Sequence, residues 1–128
     1  MNIVDVSVKA GGGPVSVRVE DADHPQAVAG VVWRFKDENT RESPPAGTFG
    51  EGTSDVPLGD TNEAGGRIFF VDGRVLPFMD APAGRYEVTV SVLQDGESVH
   101  EDVPPDGGTG TVGSTTCPFR YSFRVGVQ

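Results

Sequence analysis

Acid–base and nucleophilic chemistry recruits histidine more often than any other side chain. This chain of 128 residues holds two, His24 and His100. His24 lies in Asp23-His24-Pro25, the composition of a surface turn, and His100 is expected on the polar side of a strand. A Gly-x-Ser-x-Gly nucleophile elbow is absent. Cys117 is the one cysteine, so no internal disulfide can form, which fits a reducing compartment without requiring one. A thiolate pair of Cys117 with either histidine has no supporting motif. A copper site of the β-sandwich type needs a histidine soon after the cysteine, and residues 119–123 supply none. These residues predict no catalytic machinery and no cofactor.

Oxygen ligands are more plentiful. Asp60-Thr61-Asn62-Glu63-Ala64-Gly65 echoes the start of a calcium loop, but Ala64 takes a ligand position and Val71 stands where the bidentate Glu belongs. A looser cation site with Asp60 and Asn62 as candidate ligands is what remains. The net charge of -9 makes a nucleic-acid backbone a poor partner. The acids cluster, seven in 36–65 and five in 94–117, against only Lys36 and Arg41 across the two stretches. Such clusters keep loops hydrated, or form a docking face.

The elements that position these groups are strands. Eighteen glycines, ten prolines and twenty valines against three leucines disfavour helices, and no apolar stripe at helical spacing is present. No apolar run approaches the ~20 residues that a membrane helix needs. Alternation begins directly after Met1, without a basic or apolar leader, so no secretory signal is expected and the cytoplasm is the default. Valines alternate with polar residues over 3–9 and 14–20, separated by a glycine-rich turn. A third strand over 27–35 is expected to point Ala27, Ala29, Val31, Trp33 and Phe35 inward. The loop 36–65 is long enough to be functional, to be mobile, or to hide a short edge strand, for which Thr48-Phe49 is the candidate.

Asp72-Gly73 and Asp95-Gly96 each predict a two-residue type I′ hairpin turn. In the second hairpin Val92 should face Val99 and Ser91 should face His100, with a bulge or an end near Glu101. In the first, Ile68, Phe69, Phe70, Val71, Val75 and Leu76 make both faces apolar, so a loop or a partner chain must cover one. Pro77 should end the returning strand. The final strand should point Phe119, Tyr121, Phe123 and Val125 one way and Arg120, Ser122 and Arg124 the other. The expected fold is all-β: one antiparallel two-sheet sandwich of seven to eight strands over residues 1–128.

Trp33 on the third strand and Pro82-Ala83-Gly84-Arg85-Tyr86-Glu87-Val88 resemble features of bacterial immunoglobulin-like and fibronectin III-like domains. The resemblance implies a core tryptophan, a tyrosine corner in which the Tyr86 hydroxyl returns to nearby backbone, and Val17 and Val88 at the positions of the family's two cysteines. It implies no activity. With Trp33, Tyr86 and Tyr121 inward, only Phe49 and Phe78 remain as sugar platforms.

Eight strands would bring 36–65 and 104–117 to one end, where Glu51, Asp55, Asp60, Glu63, Asp102 and Asp106 could converge; seven would send the two acidic regions to opposite ends. The expected function is a non-enzymatic module that binds a protein or peptide through Asp55, Asp60, Glu63, Asp102 and Asp106 or through the hairpin residues Phe69, Phe70 and Leu76, with self-association through 68–76. The alternative is a module that binds calcium or a carbohydrate at the acidic end.

Overall fold

Residues that alternate valine with polar neighbours form strands, and among the described residues eleven strands build two packed sheets, with a single helical turn along the chain. The computed structural model describes residues 2–21, 28–50, 55–77, 84–113 and 115–128. The strands are β1 (Ile3–Val8), β2 (Val15–Asp21), β3 (Val28–Asp37), β4 (Thr40–Arg41), β5 (Gly47–Phe49), β6 (Asp55–Gly59), β7 (Ile68–Val75), β8 (Gly84–Gln94), β9 (Glu97–Asp102), β10 (Thr109–Val112) and β11 (Cys117–Val127); α1 is Thr61–Ala64. The six-stranded sheet runs β1-β11-β7-β3-β4, with β5 also on β3; the five-stranded sheet runs β10-β8-β2-β6, with β9 also on β8. The count exceeds seven or eight because the expected loop 36–65 holds β4, β5 and β6, the Thr48-Phe49 edge strand among them, and the expected loop 104–117 holds β10, while the two strands expected around Asp72-Gly73 are one, β7.

Two edges are single strands in two pieces. β4 and β5 both run antiparallel along β3, separated by Ser43-Pro44-Pro45. β9 and β10 both run antiparallel along β8, against 90–94 and then 84–87. Between them residues 103–108 leave the ladder, and Asp106 bridges to Arg120 on the other sheet.

Between the sheets lie Val17, Val19, Val88, Val90 and Val92 from one layer and Phe69, Val71, Phe119, Phe123 and Val125 from the other, all fully buried. Each contributes about 1.5–3 kcal/mol through burial. β11 alternates as expected, with Phe119, Tyr121, Phe123 and Val125 inward.

The Asp72-Gly73 turn does not exist. β7 passes straight through it, with Asp72 opposite both Arg120 and Val31 and Gly73 opposite both Phe119 and Gly30. It is an inner strand paired on both edges, so residues 68–76 offer no hairpin for self-association. Asp95-Gly96 does turn, with positive φ at both residues. Val99 then bulges out, so Val92 faces His100 and Ser91 faces Glu101. The bulge sits nearer the turn than expected.

β1 and β2 are not partners either. β1 pairs in parallel with β11, and β2 pairs with β6 and β8 in the other sheet. The glycine-rich turn between them therefore hands the chain from one layer to the other.

The phase of β3 is the reverse of the expectation. Val28 and Val32 are buried, and Trp33 lies on the outer side with Val31 and Phe35. Both sides of β3 carry apolar residues, so alternation alone chose the bulkier set. Gly30 belongs inside because the Phe49 ring covers it. Arg34 also enters the interior, donating to the Leu58 carbonyl at 3.2 Å and lying 5.8 Å from the Phe69 ring centre.

Val17 and Val88 are both buried, but on neighbouring strands of one sheet, so they do not face each other across the sandwich. Tyr86 is buried as expected, yet its hydroxyl donates to the Gly107 carbonyl at 3.0 Å, not to backbone close in sequence. Ala27, His24, Glu51, Phe78 and residues 82–83 of the resemblance motif lie outside the described residues.

Candidate functional site

The acidic residues do not converge. Registers put Asp60 and Glu63 at the end where β11 finishes, because β6 ends there at Gly59 opposite Val15 and residues 66–68 meet Val125 and Arg124. Val112 and Cys117 lie at the opposite end, beside Gly84 and Val75. Asp55 is on the β6 edge and Asp102 on the β9 edge, with β2 and β8 between them. Three inter-strand steps of about 4.8 Å separate those two edges. The expected polar end therefore falls apart into separate local roles.

Asp60 caps α1. Its carboxylate accepts from the Glu63 amide at 2.8 Å, and Glu63 returns a longer contact to the Asp60 amide at 3.4 Å. That capping box explains the Asp-x-x-Glu spacing without a cation. Asn62 is exposed on the same turn. Asp55 pairs with Arg18 at 2.6 and 2.9 Å. Among the described residues no group of three or more His, Cys, Asp or Glu side chains is placed to hold a metal ion.

Asp102 joins a cluster that the sequence did not announce. Tyr121 reaches from β11 across the sandwich and donates its hydroxyl proton to Asp102 at 2.9 Å; His100 Nε2 lies 2.8 Å from the same oxygen. With that proton spent on Asp102, the oxygen accepts from His100, so Nε2 carries hydrogen. Asp102 also accepts from the Val103 amide at 2.9 Å. Burial, and then the bond to Asp102, pushes the Tyr121 hydroxyl well above the usual phenol range. A hydroxyl held so firmly protonated is a brace between sheets. The Val99 bulge makes it possible: one extra residue flips the strand's sides, leaving Val99 44% exposed and turning His100 inward.

The outer face of the six-stranded sheet carries half-buried aromatics. One row crosses it as Ile3, Ser122, Phe70 and Trp33 on β1, β11, β7 and β3. The row above holds Asp5, Arg124, Ile68, Phe35 and Arg41; the row below holds Arg120, Asp72, Val31 and Thr48. Trp33, Phe70, Phe35 and Val31 are half-buried. The Arg41 guanidinium sits 4.5 Å from the Trp33 ring centre, a contact worth about 0.5–1 kcal/mol at an exposed site. Of the hairpin residues expected to bind, only Phe70 belongs to this face. Phe69 is fully buried in the core, and Leu76 is half-buried just past β7. Phe49, expected as a free ring, is buried.

Beside Phe70 the sheet opens into a cleft of about 300 Å³, between the start of β1 and the 103–108 excursion. Val4, Phe70 and Pro105 supply apolar wall, and Asn2, Asp106, Arg120 and Ser122 supply polar groups.

No family model matches this chain, and neither the curated proteins nor the solved structures contain a match. Trp33 and Arg41 are outer-face groups that no spacing in the sequence marks as such. The alternation of β11 had already placed Arg120 and Ser122 outward; what was absent was any signal that β7 and β3 lie beside them.

Proposed function

We propose that the chain is a non-enzymatic interaction module that binds a protein or peptide segment on the outer face of its six-stranded sheet. The observation that carries this reading is the Trp33–Phe70 cross-strand pair, two half-exposed aromatics side by side where a solvated sheet would carry polar residues. Aromatic anchors of this kind dominate interface energetics. Arg41 above the pair and Arg120 below it favour a partner segment that mixes apolar side chains with carboxylates. The net charge of -9 does not oppose this, because charges beyond about 8 Å are screened at physiological salt while the arginines act at contact.

The test is selection of a random peptide library on the immobilised domain, in parallel with a Trp33→Ser variant shown to be folded by circular dichroism. Peptides rich in acidic and apolar residues should be enriched by the native domain and lost on the variant. Equal enrichment on both, or none on either, would overturn the reading.

A further inference from the structure

We propose that the cleft beside Phe70 binds a small zwitterion, an α-amino acid with a large apolar side chain. The site differs from the peptide face, with which it shares Phe70 and Arg120, and does not depend on it. Its volume of about 300 Å³ is at the small end of ligand pockets, so the occupant is a small molecule rather than a cofactor.

Its charges define the chemistry. Asp106 and Arg120 are bridged through backbone, with the Arg120 amide donating to the Asp106 carbonyl at 3.0 Å. Both residues line the cleft and both are exposed, yet they form no ion pair. The ion pairs among the described residues are Arg18–Asp55, Arg67–Glu42 and Arg124–Asp5. Asp72, which faces Arg120 on the other flank, makes none with it. A lone carboxylate ligand would gain Arg120 but meet Asp106; a lone amine would meet the reverse. A molecule with both charges on neighbouring atoms answers both, with Ser122 and Asn2 as further hydrogen-bonding groups. The side chain then rests on Phe70, Val4 and Pro105.

The wall is fixed in advance. Besides the Asp106 bridge, the Asp102 carboxylate holds the Val103 amide, the Gly108 amide donates to the Pro104 carbonyl at 3.0 Å, and the Tyr86 hydroxyl holds the Gly107 carbonyl. The Val88 amide donates to the Gly108 carbonyl at 2.7 Å. A segment pinned along its length loses little freedom when a ligand arrives.

The experiment is an NMR titration of the whole chain with L-phenylalanine, L-leucine and L-methionine, alongside 3-phenylpropionate and phenethylamine. At least one amino acid should saturate at millimolar concentration and shift the amides of Asp106, Arg120 and Ser122. The two single-charge analogues should bind about tenfold more weakly. Arg120→Gln and Asp106→Asn should each weaken binding about as much, whereas Trp33→Ser should leave it unchanged. Absence of saturation by all three amino acids would overturn the proposal. So would equal binding of an analogue, or shifts confined to another part of the sheet. Because Trp33 serves only the peptide face, the two readings fail separately.

Discussion

The Phe119 ring lies over the bare Cα of Gly73, its cross-strand partner on β7. A β-carbon placed on Gly73 would come within 2.8 and 2.9 Å of the ring's two Cε atoms. The same row continues through Gly30 to Phe49, whose ring covers Gly30, and the two ring centres are 6.4 Å apart. Two aromatics thus cover two glycines in the middle of a sheet, where glycine otherwise weakens a strand.

Gly73→Ala is accordingly expected to destabilise the fold by about 1–3 kcal/mol, as overpacking does in cores. Urea unfolding followed by Trp33 fluorescence measures it. Phe119→Leu should recover part of the loss in the double mutant, because the two sites share one contact. Additive losses would show that the ring does not occupy that space.

Tyr121→Phe removes the hydroxyl that ties β11 to β9 and leaves Asp102 and His100 without their shared partner. The expected loss is about 1–3 kcal/mol at neutral pH. A double-mutant cycle with Asp102→Asn should give a coupling of at least about 0.5 kcal/mol.

Alkaline pH gives an independent reading of the same hydroxyl. The folded-state value of Tyr121 is raised above that of the unfolded chain. Its contribution is therefore fully present below about pH 10, the ordinary phenol value, and is lost as pH rises beyond it. Tyr86 is raised by burial as well and acts in the same direction. Urea midpoints should fall above about pH 10, and Tyr121→Phe should flatten that fall.

Trp33 on the outer face should be accessible to collisional quenchers. With Arg41 against the ring, iodide should quench its fluorescence more efficiently than caesium, and Arg41→Glu should reverse the order. A tryptophan protected from both ions would return it to the core.

Asp60→Ala should lower stability by about 1 kcal/mol through loss of the α1 cap. Millimolar calcium should shift the melting temperature of neither form, since the Asp60 carboxylate is engaged by the helix amide.

The sandwich was legible because valine alternation is a direct record of which side of a strand faces the core. Val15, Val17 and Val19 and the β11 set Phe119, Tyr121, Phe123 and Val125 are the plainest cases. Pairing was much less legible. Asp72-Gly73 and Asp95-Gly96 are the same dipeptide between apolar runs, and only tertiary context separates them: one glycine makes room for a ring, the other supplies positive φ for a turn. Trp33 is the counter-case: on a strand with apolar residues on both sides, ring size does not tell which side is buried. The candidate cleft was invisible for a related reason. Its walls come from β1, β7, β11 and the 103–108 excursion, which nothing in local spacing brings together.

The split borders of the two sheets have a consequence for solubility. A chain this rich in valine carries a standing hazard of growing, border to border, into fibres. Prolines 44 and 45 break one border, Val99 and the 103–108 detour break a second, and Pro57 removes a donor from a third. β1 alone stays unbroken along its length, and the most solvated ion-paired carboxylate, Asp5 at 82%, sits near its centre as the remaining guard.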